Sequence, residues 1–170
     1  MTTNEAQMLF LETMNTMLKE NFDIPKAKID SQLKFNARTT ALGLCKKHKG
    51  MYSIYLSKHI LDGDKNIIRD TLAHELIHTI DGCMNHKTKF KENCKKANSL
   101  FGWGVTTKAN KEEGINSGIT QARAKAAKYV IICPKCKATW YRQRACNLSK
   151  YPECYLCKKC MCNLELILNN

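Results

Sequence analysis

The sequence "HELIH" at residues 74–78 places two histidines and a glutamate on what must be a short stretch of helix. Residues four apart on a helix lie on one face, with Cβ atoms about 5–6 Å apart, so His74 and His78 can converge on one Zn²⁺. Glu75 lies about 100° round the helix, where it can reach a water at the open position of the metal and act as a general base. This arrangement predicts a catalytic zinc site.

A catalytic zinc needs a third protein ligand if one position is to stay open for water. His86 is the predicted third ligand, because Gly82 lets the chain turn back toward the metal after the helix ends. Glu92 and Glu112 are the alternatives for this position.

The helix that carries the motif is predicted over residues 65–80, with Asp64 as its N-cap. Apolar residues recur along it at four-residue spacing, which predicts one face packed in a core. They are Ile68, Leu72, Leu76 and Ile80. Burial of that face would fix the helix and, with it, the side chains of the motif.

Further helices and short strands are predicted around this helix. Residues 4–20 form an amphipathic helix, and residues 87–100 form another, with Phe90, Cys94 and Ala97 facing inward. The segments "QLKFNAR", "TALGLC" and "MYSIYLS" alternate as strands do, with "CKKHKG" as the turn between the last two. Residues 102–128 read as a loop and a short helix that lead to a second part. The prediction is an α+β domain with a small antiparallel sheet.

Seven of the ten cysteines lie within residues 133–162. Two C-x₂-C pairs, "CPKC" and "CKKC", stand 20 residues apart, which is the spacing of a four-cysteine zinc ribbon. The predicted ligands are Cys133, Cys136, Cys157 and Cys160. Cys146, Cys154 and Cys162 are interpreted as spare thiols, one of which could replace one of the four.

The chain is strongly basic, with 28 Lys and Arg, 15 Asp and Glu, and a formal net charge of +13. This surplus favours a polyanionic partner, for which DNA is the natural choice. Lysines follow His86, and "TWYRQR" interleaves aromatic rings with arginines that could stack on bases and hold phosphates. The predicted contacts are Lys87, Lys91, Lys95, Lys96, Trp140, Arg142 and Arg144. The alternatives are a solvated helix face for the lysines and packing over the zinc knuckle for Trp140.

The N-terminal "MTTNEAQ" lacks the apolar run of a secretory signal, and no stretch approaches the roughly 18 apolar residues needed to span a bilayer. We therefore expect a cytoplasmic protein. We also expect a monomer.

The segments "ARTTALGLCKKHKGMYSIYLSKHIL" and "IIRDTLAHELIHTIDGCMNHKTKF" resemble the SprT-like metallopeptidase family. In that family a "GLC" strand and a strand ending in "LS" precede the H-E-x-x-H helix, and a later H-G-x-x-F supplies the third ligand. Here that motif reads "HKTKF", which keeps His86 and Phe90 but has Lys87 in place of glycine. The family's C-terminal ribbon is matched at "YVIICPKC" and "YLCKKCMCNL", with Cys162 where glycine is common.

These observations predict a zincin-like α+β catalytic domain over residues 1–128, followed by a small β zinc ribbon over residues 129–170, with one catalytic and one structural zinc. The resemblance implies DNA-dependent cleavage of proteins, including those crosslinked to DNA. Glu75 is the predicted catalytic base; Tyr52 and Tyr55 are the candidates for stabilising the oxyanion. Two other functions stay open at this point. One is zinc-dependent nucleic-acid binding without proteolysis, and the other is cleavage of one regulatory protein independently of DNA.

Overall fold

A computed structural model of the chain describes residues 1–39, 41–107 and 124–168. The chain forms two compact units, residues 1–120 and 121–170. The predicted domain boundary after residue 128 stays a prediction. Most of the predicted loop and helix over residues 102–128, and Glu112 with it, lies outside the described residues.

Three helices of the first unit have the positions that periodicity predicts: α1 (Thr3–Lys19), α2 (Lys65–Ile77) and α3 (Thr88–Phe101). The carboxylate of Asp64 caps α2 by accepting a hydrogen bond from the backbone N–H of Asn66 at 2.7 Å. The helix ends three residues before the predicted end at residue 80. The reason is that the N–H groups of Thr79 and Ile80 bond to carbonyls three residues back, which tightens the last turn.

The sheet of the first unit contains β1 (Lys34–Asn36), β2 (Gly43–His48) and β3 (Met51–Ser57) in the order β1-β3-β2. The pairing of β2 with β3 is antiparallel, as predicted, but β1 runs parallel to β3. β1 and β2 run in opposite directions, as do β2 and β3, so two successive reversals of the chain leave β1 parallel to β3. Alternation of side chains carries no information on that direction.

The predicted turn "CKKHKG" is shorter than expected. Residues 45–48 belong to β2, and only Lys49 and Gly50 form the turn, with φ of 47° and 82°. Positive φ at both central residues is typical of the tight two-residue hairpin. β2 is therefore longer than the sequence indicates, and it lies at one edge of the sheet.

Helix α2 packs against α1, α3, β2 and β3. Its predicted core residues are all at most 1% exposed: Ile68, Leu72, Leu76 and Ile80. The inward residues of α3 are buried as well: Phe90, Cys94 and Ala97. The helix that carries the histidines is thus held on several sides by buried apolar contacts.

The second unit is a small antiparallel sheet of β4 (Tyr129–Ile132), β5 (Thr139–Arg142) and β6 (Glu165–Leu168) in the order β5-β4-β6, with one helical turn, α4 (Asn147–Lys150). Its core combines Ile131 and Leu164 with the sulfurs of Cys133 and Cys157. The α+β class with small sheets is confirmed. Among the described residues, no helix is long and apolar enough to cross a membrane. The predicted cytoplasmic location and monomeric state stay predictions.

Candidate metal centres and the cleft beside them

Three histidines meet at the C-terminal end of α2. His74 lies on its last turn, His78 is the residue at its C-cap, and His86 precedes α3. The Nε2 atom of His74 is 3.2 Å from Nε2 of His78 and 3.1 Å from Nε2 of His86. Nitrogens bound to one tetrahedral Zn²⁺ at about 2.0–2.1 Å lie roughly 3.3 Å apart, so this spacing suits a shared metal. The structure brings the three predicted ligands together.

The second ring nitrogen of two of these histidines is held by the backbone. Nδ1 of His74 lies 2.7 Å from the carbonyl oxygen of Thr106, and Nδ1 of His78 lies 2.7 Å from that of Cys83. A carbonyl can only accept, so Nδ1 must carry the proton, which leaves the lone pair of Nε2 free for a metal. Burial lowers the pKa of His74 to about 4, and burial also lowers the pKa of His78. Both rings are therefore neutral near pH 7, as metal ligands must be.

One phenylalanine ring contacts all three imidazoles. The ring of Phe90 is fully buried, and its centroid lies 4.9, 4.5 and 4.8 Å from those of His74, His78 and His86. Rings in contact at this distance restrict one another's rotation. Phe90 is thus a common support for the three ligands as well as a core residue.

The carboxylate of Glu75 lies against β2 and lines the same cleft as the three histidines. Its side chain is buried at 6% exposure, and the backbone N–H of Cys45 donates a hydrogen bond to its carboxylate. Burial raises the pKa of Glu75 to about 8, although the Cys45 N–H opposes part of that rise. Burial and the charge of Glu75 also raise the pKa of the Cys45 thiol to about 12, which keeps it protonated and unsuited to act as a nucleophile. The carboxylate is the group of this pair that can move protons near neutral pH.

Gly43 leaves the space that Glu75 occupies. A Cβ atom at this glycine would lie 2.7 Å from both Cγ and Oε1 of Glu75 and 2.8 Å from Cγ2 of Thr71. Any side chain at residue 43 would therefore displace the carboxylate or the helix that carries it. Gly43 belongs to the "GLC" strand motif, but its role depends on a contact 32 positions away along the chain, which no local pattern predicts.

A cleft of about 650 Å³ opens beside these residues. One wall is the N-terminal part of β2 with the residues before it, and the other is α2 together with the segment around Gly104 and Thr106. His74, Glu75 and His86 all line it. Tyr52 and Tyr55, the candidates for the oxyanion, are not among the residues that line this cleft. Their rings lie under the ammonium groups of two lysines of β2, at 5.2 and 4.9 Å, so the interpretation of these tyrosines as oxyanion groups has no support from the structure.

Of the alternatives for the third ligand, Glu92 is exposed on α3, while His86 is at the site. Glu112 lies outside the described residues. Among the described residues, the ligand atoms of His74, His78 and His86 form one group within 4.8 Å of one another.

A second group of possible metal ligands lies in the ribbon. The four predicted cysteines have sulfurs within 4.8 Å of one another, as four thiolates at about 2.3 Å from one zinc would be. They are Cys133, Cys136, Cys157 and Cys160. Burial raises the pKa of Cys133, but hydrogen bonds from the Cys136 N–H and from neighbouring thiols outweigh it and lower this pKa, whereas the hydrogen bond to Cys133 raises the pKa of Cys160 in turn. A thiolate at neutral pH is the form that binds metal. Cys154 is exposed and stands outside this group.

The residues predicted to contact nucleic acid differ in their surroundings. Lys87, Lys91 and Lys95 are exposed, and their four-residue spacing places them on one stripe at the start of α3. Lys96 is half-buried, donates a hydrogen bond to the carbonyl of Asn21 at 2.9 Å, and lies 4.3 Å from the centroid of a phenylalanine ring. Its ammonium group is therefore engaged within the fold.

In the ribbon, Trp140 packs against the small core, which agrees with the packing alternative for this residue. Arg142 and Arg144 are exposed.

Comparison with known proteins adds one match. A family model described as the SprT-like family matches residues 8–112, which is more than half of the chain. The matched span contains the three histidines and Glu75 and ends before the ribbon cysteines. A search of curated proteins finds no match.

Proposed function

The chain belongs to the SprT-like family, whose members are metallopeptidase-like, and we propose that it is a zinc-dependent metallopeptidase that cleaves proteins held on DNA. The observation that carries the proposal is the placement of a buried glutamate beside three converging histidines at an open cleft. A purely structural metal site has no need of a base in this position or of access for a substrate.

His74, His78 and His86 would hold the metal through their Nε2 atoms. Zinc bound by three protein ligands keeps one position for water, lowers the pKa of that water and polarises a carbonyl. Glu75 would accept the proton of the attacking water and then donate it to the amine that leaves. A carboxyl group whose burial raises its pKa toward neutrality is suited to both transfers.

The edge strand suggests how a polypeptide would be held. β2 pairs with β3 on one side, and its first residues, from Gly43 to Cys45, line the cleft. An extended peptide can add to the backbone groups of such an edge, other than the Cys45 N–H that is bonded to Glu75, through hydrogen bonds that read no particular sequence. This mode of binding suits a peptidase whose selectivity comes from where the substrate is held.

The proposed role of DNA rests on charge. The formal net charge is +13, and the stripe of Lys87, Lys91 and Lys95 begins directly after the ligand His86. Phosphates bound to this stripe would lie next to the cleft. A protein attached to the same DNA would then be presented at high local concentration, without a sequence-specific pocket.

The test compares two substrates: a protein crosslinked to a DNA oligonucleotide and a short free peptide. We expect cleavage of the crosslinked protein to depend on the DNA and to weaken steeply as salt rises, since each neutralised phosphate releases counterions. Hydrolysis of the free peptide should not depend on salt in this way. Glu75→Gln is the control for contaminating proteases.

Two results would contradict the proposal. Equal cleavage with and without DNA would favour a peptidase that acts independently of DNA. Binding of DNA and metal without any cleavage that depends on Glu75 would favour a binding protein.

A further inference from the structure

The first turn of the ribbon, around Cys133 and Cys136, sets a pattern of two backbone hydrogen bonds. The N–H of Cys133 donates to the carbonyl of Ala138, and the N–H of Lys137 donates to the carbonyl of Cys133, both at 2.9 Å. Lys137 has a φ of 59°. This tight turn directs both sulfurs toward the metal position, while Ala138 presents only a methyl group.

The second turn repeats the pattern residue for residue. The N–H of Cys157 donates to the carbonyl of Cys162 at 2.9 Å, and the N–H of Met161 donates to the carbonyl of Cys157 at 2.8 Å. Met161 has a φ of 55°. Cys162 is therefore the counterpart of Ala138, and the turn itself does not need a thiol at this position.

The extra thiol lies against the ligand group. The sulfur of Cys162 is 3.1 Å from that of Cys133 and 3.4 Å from that of Cys160, while the sulfurs of Cys133 and Cys160 are 3.2 Å apart. Three sulfurs thus lie in mutual contact, and a second pair, Cys136 and Cys157, is 3.5 Å apart.

We propose that Cys160 and Cys162 are interchangeable ligands, so that either can complete the four-thiolate zinc site of the ribbon. The inference rests on the ribbon binding zinc, which is part of the function proposed above, but not on proteolysis. Zn²⁺ has no geometric preference from its d electrons and accepts four thiolates, so the thiols of Cys160 and Cys162 compete for one position beside the other three cysteines. Cys160 and Cys162 are both half-buried, so solvent reaches both of the sulfurs that exchange.

Zinc affinity of single variants of the full chain tests the exchange. Dividing the affinity of a structural zinc site over four ligands gives a loss of roughly a hundredfold to a thousandfold for each missing thiolate. Cys136→Ala should show that loss. Cys160→Ala and Cys162→Ala should each change the affinity by less than about tenfold, and only the double variant should reach the level of Cys136→Ala. Cys162→Ala is the matched control, because it gives the second turn the alanine that the first turn has.

The Co²⁺-loaded protein reports the number of thiolates independently of affinity. Absorption from thiolate-to-cobalt charge transfer arises from the ribbon, because the histidine site supplies no sulfur ligand. Cys160→Ala should keep the four-thiolate spectrum. A spectrum with one thiolate fewer, together with an affinity loss equal to that of Cys136→Ala, would overturn the proposal.

Alkylation of the unaltered, zinc-loaded protein provides a test that needs no variant. Trypsin cleaves after Lys159, so Cys160 and Cys162 fall in one peptide whose fragments separate them. Exchange predicts that N-ethylmaleimide modifies either cysteine but rarely both in one molecule. Modification of Cys162 alone would mean that Cys160 is a fixed ligand, and modification of both in one molecule would mean that the ribbon holds no zinc. Either result would overturn the proposal while leaving proteolysis at the histidine site untouched.

Discussion

Replacing Gly43 with alanine would push a methyl group into the space of the proposed catalytic base. The new Cβ would lie 2.7 Å from Cγ and Oε1 of Glu75, whereas ordinary van der Waals contact begins at 3.4 Å. The two groups must therefore separate by at least 0.7 Å, which is the difference between these distances. Thr71, one turn earlier on α2, would lie at 2.8 Å and limits movement on that side.

The size of the effect follows from the surroundings of Glu75. Its side chain is only 6% exposed, so it has little room to retreat within the core. Displacement would also weaken the hydrogen bond from the Cys45 N–H. A misplacement of about 1 Å in a catalytic group costs on the order of a hundredfold in rate, so we expect kcat/KM for Gly43→Ala to fall by about that factor. Overpacking should in addition lower stability by about 1–3 kcal/mol.

The assay measures kcat/KM on a short peptide, metal content and the thermal midpoint of unfolding. Gly50→Ala is the matched control, since it adds the same methyl group to the same hairpin where no atom lies within 4 Å. Its φ of +82° costs about 1–2 kcal/mol for a residue with a Cβ, so it should lower the midpoint but keep the activity.

Two outcomes would refute this reasoning. Full activity in Gly43→Ala would mean that Glu75 can relax without loss of function. Loss of the histidine-bound metal in parallel with activity would mean that the methyl group acts through the ligands, not through the carboxylate.

Four further variants test the other parts of the assignment. Glu75→Gln should keep both metals and the thermal midpoint but lower peptide hydrolysis by at least about a hundredfold, because only the general base is lost; retained hydrolysis in the pure variant would contradict that role. Replacing Cys133 and Cys136 together by alanine should release the ribbon metal and unfold residues 129–168, as followed by metal analysis and hydrogen exchange, while the histidine-bound metal remains; a folded, metal-free ribbon would show that the metal is not structural. Charge reversal at Lys91 and Lys95 should weaken DNA binding and cleavage of DNA-held protein but not of a free peptide, and equal loss on both substrates would exclude the presentation role. Charge reversal at Lys96 should instead lower the thermal midpoint, because its ammonium bonds to the carbonyl of Asn21.

Local patterns in the sequence predict the parts of this structure that local physics controls. The periodicity of α2, its cap at Asp64 and the converging pair of His74 and His78 all follow from contacts within about one turn of helix. The two C-x₂-C turns are equally local, and their cysteines are brought together as predicted. The ligand role of His86 is predictable for a similar reason, since a glycine permits the turn after α2.

The hairpin of β2 and β3 shows where prediction from local sequence fails. The lysines and the histidine of "CKKHKG" favour a turn, yet residues 45–48 are paired with β3. The ammonium groups of Lys46 and Lys47 lie over the rings of Tyr55 and Tyr52, at 4.9 and 5.2 Å. Long lysine side chains can cover apolar surface while their charge stays in water, so a basic stretch is compatible with a strand when aromatic rings lie opposite.

For Gly43 and Cys162 the sequence motifs indicate the residue but not what it does in the fold, and the two cases have the same physical origin. Each departs from its neighbours in size: Gly43 by lacking a side chain at a cleft wall, and Cys162 by adding a sulfur where the equivalent turn has a methyl group. Neither departure affects secondary structure, so no periodicity or propensity records it. Each gains meaning only from a group that is distant in sequence, the carboxylate of Glu75 in one case and the sulfur of Cys133 in the other. Both are therefore tested most sharply by alanine, which fills the space beside Glu75 and removes the thiol beside Cys133 while changing little else.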